Sequence, residues 1–245
     1  MKKRHPLWKT MAVLGTAVLS VEAVNRAIFS YKSGQADSFE GDHFLEWKQG
    51  RICYRKKERG AGYPILLIHD LYPDQSMEQM EKLAVQLSQK RTVYMMDLLG
   101  CGHSEKPAVT YTNFLYVMQI TEMIEKVIRQ PVHLTAKGRS AAIAIAAARY
   151  KPEYFSQLTL LDPIDFQENK QLPDLCSKWK KRLIELPVFG TLIYNMQFMN
   201  SASAHLGGTS ARYLYASIAG RYTNYDVEWM LESNEIPVHI VRTEM

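Results

Sequence analysis

Five apolar runs, each parted from the next by helical or turn-rich sequence, constrain this chain more than any other feature. They are Ile65–His69, Thr92–Met96, Val132–Thr135, Leu158–Leu161 and Ile236–Val241. Ile65–Ile68 has no polar position and reads as a strand covered on both faces; the others are β-prone, largely apolar runs of strand length. Between them, Ser76–Gln89 carries Met77, Met80, Leu83, Ala84 and Leu87 at helical spacing. Thr112–Arg129 does the same with Leu115, Met118, Ile120, Met123, Ile124, Val127 and Ile128. From Ser140 the chain is rich in Ala and Ile, as a helix buried against a sheet would be. Strand alternating with helix predicts an α/β fold: a mostly parallel central sheet, right-handed crossovers and helices on both faces. Phe44–Trp47 and Arg51–Lys56 flank Lys48-Gln49-Gly50 and read as a β-hairpin, and Gly60-Ala61-Gly62 separates it from the first apolar run. In such sheets ligands bind beyond the carboxyl ends of the strands, where His69, Asp97, Gly138 and Asp162 fall.

Within that frame, Pro131–Ala148 reads as strand, sharp turn and helix, with the turn at Ala136-Lys137-Gly138-Arg139. Three further stretches stand around it in order. Tyr63-Pro64-Ile65-Leu66-Leu67-Ile68-His69-Asp70 is a strand running into a polar loop. Asp97-Leu98-Leu99-Gly100-Cys101-Gly102-His103-Ser104-Glu105-Lys106-Pro107 fits D-x-x-G-x-G-x-S-x-x-P. Leu158-Thr159-Leu160-Leu161-Asp162-Pro163 is a strand ending in Asp-Pro. Together, between Gly62 and Pro163, they resemble the α/β-hydrolase family. The resemblance makes the first stretch the third strand and oxyanion loop, the second the loop after the fourth strand, and the third the sixth strand.

The resemblance also implies a nucleophile on the sharp turn, where strain lifts its side chain clear of the backbone. Counting back from Pro152, which resembles the Pro of the family's helix-ending H-P-E, places that position on Gly138, which has no side chain. Matching the pattern instead finds Gly138-Arg139-Ser140-Ala141-Ala142, a G-x-S-x-A variant with Ser140 as nucleophile. The spacing is the preferred reading, with Ser140 then in the first helical turn or capping it. Oxyanion donors would be the N–H after the elbow, at Arg139, and one from His69-Asp70-Leu71-Tyr72. Where the family usually has Gly, this chain has Asp70, whose carboxylate would oppose an oxyanion unless it points away. Asp162 is the candidate acid of a triad, against a simpler role in the Pro163 turn. The family's His lies in a loop after a further strand, and the sequence ends four residues beyond Val241. His239 falls inside a strand, and His103, His133 and His205 have no motif that suits a base. No serine-hydrolase activity is therefore expected of these 245 residues.

Residues 164–234 change character. Trp179–Leu186, Thr191–Phe198 and Ser210–Ile218 look helical, separated by Pro187, Gly190 and Gly207-Gly208, with Gly220 closing the last. They resemble the helical cap that the family inserts after its sixth strand. Their Met, Tyr and Trp residues either line an apolar pocket or hold the cap together. Two functions are implied: hydrolysis of an ester or similar acyl bond in a small apolar substrate, with incomplete machinery, or a non-catalytic role in binding a ligand or a protein.

The start of the chain differs from the rest. Lys2, Lys3, Arg4, His5 and Lys9 precede the apolar run Met11–Val21, which Glu22 interrupts. A spanning helix needs about 20 largely apolar residues, and reaching Phe29 takes in Glu22, Asn25 and Arg26. Signal anchor, cleaved signal peptide and amphipathic helix compete. The anchor is preferred for residues 1–31, with the domain extracytoplasmic by the basic flank. The alternative is a cytoplasmic protein whose helix packs on the domain or lies on a membrane. Residues 32–43 read as a linker, and 44–245 as the domain.

Composition bounds what remains. The chain's length suits one α/β domain with an insertion. The net charge of +5 is partly a feature of the basic start. No basic stripe with interleaved aromatics suggests nucleic acid. Lys178, Lys180, Lys181 and Arg182 read as the solvated face of a helix. Cys53, Cys101 and Cys176 show neither disulfide nor metal spacing. Gly100-Cys101-Gly102 lacks the third glycine and the Lys-Ser/Thr of a phosphate loop, and no His pair has zinc spacing. No metal or cofactor is expected, and the expected partner is a small-molecule substrate or ligand.

Overall fold

A computed structural model of the chain describes residues 7–35, 42–58, 60 and 62–242. The basic residues Lys2 to His5, most of the expected linker and Ala61 of the expected break lie outside them. Seven strands form one sheet: β1 (His43–Leu45), β2 (Ile52–Lys57), β3 (Ile65–Ile68), β4 (Val93–Met96), β5 (Val132–Lys137), β6 (Phe155–Leu161) and β7 (Val238–Val241). Their order is β1-β2-β4-β3-β5-β6-β7. The expected hairpin is β1 with β2, and β2 also pairs antiparallel with β4. From β4 to β7 every neighbour is parallel. The five runs are thus adjacent parallel strands; β3 and β4 are buried on both faces, whereas β7, at the sheet edge, is not.

Alternation along the strands divides the core in two. Ile65, Leu67, Val93 and Met95 face α2 (Glu81–Ser88) and the preceding turn, where Met77 and Met80 are buried. Leu66, Ile68, Tyr94 and Met96 face the other way, towards α3 (Asn113–Met123) and α4 (Ser140–Tyr150). Residues Ala141 to Ala148 of α4 are all buried. Small side chains let α4 lie close to β5 and α3, the reason for its Ala-rich sequence. β7 closes the sheet with Ile240 and Val241 exposed.

Between β6 and β7 the chain makes a helical excursion: α5 (Phe166–Asn169), α6 (Leu175–Glu185), α7 (Phe189–Gln197), α8 (Arg212–Ala219) and α9 (Glu228–Glu232). Asp174 starts α6 by accepting the Ser177 N–H at 2.7 Å, while the Ser177 hydroxyl takes the Asp174 N–H at 2.9 Å. This reciprocal arrangement satisfies two donors that the helix start would leave free.

The N-terminal helix α1 (Leu7–Ser33) is docked on the excursion by its second half. Asn25 is fully buried. Its amide donates to the Val188 carbonyl at 3.0 Å, and its carbonyl accepts from the Asn195 amide at 2.9 Å. Phe29 stacks on Tyr194 with centroids 5.9 Å apart and lies 4.9 Å from the His205 ring. The expected spanning segment falls largely on this helix. Among the described residues no helix is long and apolar enough to cross a membrane. The residues that interrupt the apolar run have protein partners instead: Arg26 pairs with Glu22 at 2.9 Å, and Asn25 belongs to the fold.

Candidate active site

The carboxyl ends of β3 and β5 bring five of the singled-out residues together. Strand β5 runs into Gly138, whose φ of +57° is left-handed, a conformation glycine adopts without steric cost. The Gly138 N–H is held by the Leu161 carbonyl at 3.0 Å, and α4 begins two residues later. A Cβ at Gly138 would stand 2.4 Å from the Asp70 carboxyl carbon and from its Oδ1. The side chain of Asp70 therefore fills the space that a nucleophile's side chain would use. Asp70 Oδ1 also accepts the Arg139 N–H at 2.7 Å. In a working elbow this N–H would meet the developing oxyanion. The start of α4 carries partial positive charge, which favours an anion here. Asp70 supplies that anion from within the protein; the outward-pointing Asp70 that catalysis would need is not what forms.

Ser140 is fully buried, and its hydroxyl donates to the His69 carbonyl at 2.6 Å. That bond ties the first turn of α4 to the end of β3, so the hydroxyl is committed to main chain rather than presented at the apex. His69 is buried too. Its Nε2 accepts the Leu98 N–H at 3.1 Å, so Nδ1 carries the proton and donates to the Asp70 carbonyl at 2.7 Å. Burial pushes the imidazole pKa down, against the pull of Asp97 upward, and the ring is neutral. Leu71 is buried in the core. Asp162 follows β6 with φ +44° and gives its N–H to the Val241 carbonyl at 2.8 Å. It serves the turn out of the sheet.

The glycine-rich loop after β4 is built around Asp97, which is fully buried. Its carboxylate accepts the Met77 N–H at 2.7 Å and the His103 N–H at 2.8 Å. A Cβ on Gly102 would stand 2.1 Å from Asp97 Oδ2, so the second glycine of the motif makes room for the carboxylate. Ser104 donates to the Asp97 carbonyl at 2.7 Å and accepts the Cys53 N–H at 2.8 Å. This stretch fastens β4 to β2 and to the turn before α2, and its role is architectural.

Above the elbow, Tyr72 meets the excursion directly. Its ring lies 5.5 Å from Phe198 and 6.3 Å from Tyr215, and Tyr194 joins the same cluster. Arg139 extends towards Glu168 of α5, with 3.8 Å between the charged groups. Sequence reasoning missed Tyr72 and Glu168 as neighbours of the elbow, because only the fold brings residues 72, 139, 168 and 198 together. Among the described residues no group of three or more His, Cys, Asp or Glu could hold a metal ion.

Residues 63–186 match the model of the alpha/beta hydrolase fold family. The 2-(acetamidomethylene)succinate hydrolase of Mesorhizobium japonicum is 26% identical over 142 residues, which are 57% of this chain and 50% of that one. The 2-hydroxymuconate semialdehyde hydrolase of a Pseudomonas species is 28% identical over 106 residues, 42% of this chain and 38% of that one. The chain thus spans about half or less of the length of these curated relatives. Among solved structures, a probable hydrolytic enzyme from Pseudomonas aeruginosa PAO1 superposes with a TM-score of 0.66 at 17% identity, over 84% of this chain and 74% of that one.

Proposed function

The chain belongs to the alpha/beta hydrolase fold family, and we propose that it is a member without serine-hydrolase chemistry at its elbow, working by binding a ligand or a protein through its helical cap. One observation carries this reading: the Asp70 carboxylate lies where a side chain at position 138 would stand, and takes the Arg139 N–H. Acyl transfer needs a nucleophile at the apex and free N–H donors for the oxyanion. Here the first has no side chain and the second is occupied by a fixed anion. The burial of Ser140 and its bond to the His69 carbonyl support the same reading.

The second reading is hydrolysis of an ester or similar acyl bond in a small apolar substrate. It is favoured by the activities named for the relatives, which are hydrolases. It would require the turn to shift by two residues and Ser140 to leave the His69 carbonyl. A fluorophosphonate probe discriminates. The binding reading expects no labelling and background turnover of p-nitrophenyl esters. Labelling that Ser140→Ala abolishes would establish the hydrolase instead.

A further inference from the structure

We propose that the first half of α1 and the outer face of α6 form one lipid-binding surface, which seats the helical excursion on an anionic membrane without a helix crossing it. This does not depend on the chemistry of the elbow.

The described side chains in the first half of α1 are turned to solvent. Leu14 is 61% exposed and Leu19 70%, and Met11 and Val18 are exposed with them. Contiguous apolar surface of this kind marks an interaction site rather than ordinary surface. The second feature is independent of the first. On α6, Leu175, Trp179 and Leu183 recur at i, i+4 and i+8, one helical stripe, and Leu186 follows just past its end. Leu175 is 74% exposed and Trp179 61%, while the buried Ser177 and Ile184 lie on the opposite face. This is an amphipathic helix with its apolar side turned out. Val188, whose carbonyl holds Asn25, stands between the exposed Leu186 and Phe189. The exposed Leu186, at the end of the α6 stripe, therefore lies two residues from the carbonyl that seats the second half of α1.

Charge selects the occupant. Lys2, Lys3 and Arg4 precede α1 in the sequence and Lys9 falls in its first turn, and the exposed Lys178 and Arg182 flank the α6 stripe. The Arg182 guanidinium lies 5.6 Å from the Trp179 ring centre. Apolar side chains edged by cations match the boundary between acyl chains and anionic headgroups. Length selects the mode. With Asn25 held in protein, the apolar run Met11–Val21 covers roughly 16 Å of axis, against about 30 Å of hydrocarbon. It can lie in the interface but cannot span.

The test is co-sedimentation of the full chain with phosphatidylcholine vesicles, with and without phosphatidylglycerol. Binding is expected on the anionic vesicles, weakening as salt rises. Leu14→Glu with Leu19→Glu, or Trp179→Glu with Leu183→Glu, should each weaken it by at least about tenfold. All four positions are exposed, so thermal melting of each variant should match the parent. Each basic residue of the start changed to Gln should cost about fivefold. Three results would overturn the proposal. One is absence of binding, or binding that both double variants leave intact. Another is self-association without lipid that the same substitutions abolish, which makes a second copy the occupant. The third is retention on vesicles through an alkaline carbonate wash, the behaviour of a spanning helix.

Discussion

Asp70 Oδ1 takes the Arg139 backbone N–H at 2.7 Å, and the Asp70 carboxyl carbon lies 2.4 Å from where a Cβ on residue 138 would stand. The two contacts make the identities at 70 and 138 interdependent. An Asp at the end of the oxyanion strand is compatible with the elbow because the apex is glycine. A glycine apex leaves a void at the positive end of α4, which a carboxylate fills favourably. A side chain could return to one position only if the other gave way.

Gly138→Ser should accordingly destabilise the fold by at least about 2 kcal/mol, from left-handed backbone strain and overlap with Asp70. Asp70→Gly should cost about 1.5–3 kcal/mol through loss of a charge-assisted bond to the Arg139 N–H. The double variant should be more stable than the sum of the two predicts, by about 1 kcal/mol or more. Urea unfolding of the four proteins measures the coupling. Strict additivity would mean that Asp70 does not occupy the space of a side chain at 138.

Ser140 acts as a fastener between α4 and β3. Ser140→Ala should lower stability by about 1 kcal/mol, since the buried His69 carbonyl loses its donor. The same substitution should leave background ester turnover where it was. A variant with unchanged unfolding free energy but reduced turnover would reverse the assignment.

The parallel strands are legible in the sequence because burial on both faces leaves a local mark: runs such as Ile65–Ile68 with no polar position. The elbow is legible in part. Glycine at 138 and aspartate at 70 each depart from the family pattern when read alone. That they touch is a contact between distant positions, and no periodicity encodes it. Asn25 is illegible for a related reason. In an apolar helix a buried amide reads as a cost of membrane insertion, yet here that cost is offset by Val188 and Asn195. Partners on α7 and just before it cannot be read from the sequence around residue 25. The docking of α1 is thus the least legible part of the fold.

The docking makes its own prediction. Asn25→Ala would take the buried acceptor from the Asn195 amide and leave the Val188 carbonyl with the Leu192 N–H alone, at about 1–3 kcal/mol. Phe29→Ala would open the cluster of Tyr194, Phe198 and His205, at about 3 kcal/mol. Hydrogen exchange should then quicken over α7 and the 203–205 turn but not in β3 to β6. Unchanged exchange over α7 would show that α1 contributes nothing to the excursion.

Lys106 gives a pH dependence whose sign can be worked out. Its ammonium is buried and donates to the Gly102 carbonyl at 2.5 Å. Burial brings its pKa down to about 8, from an ordinary value of 10.5. Below pH 8 both folded and unfolded chains hold the proton, and folding bears the whole cost of a buried charge. Between about 8 and 10.5 the folded protein releases its proton first, while the unfolded chain keeps it. The unfolded state then binds more protons, so this group's contribution to stability rises with pH, by up to roughly 3 kcal/mol. Cys53 and Cys101 act in the opposite sense. Burial raises both thiol pKa values, so the folded state keeps protons that the unfolded chain sheds above about pH 8.5. The wild-type profile mixes the two effects, and a comparison with Lys106→Met separates them. The variant also loses the bond to Gly102, whose dependence on the proton is already contained in the folded pKa. The stability of Lys106→Met relative to wild type should therefore be highest near pH 7 and decline steadily from pH 8 to 10. A difference that stays flat across that range would mean that the Lys106 ammonium bears no burial cost.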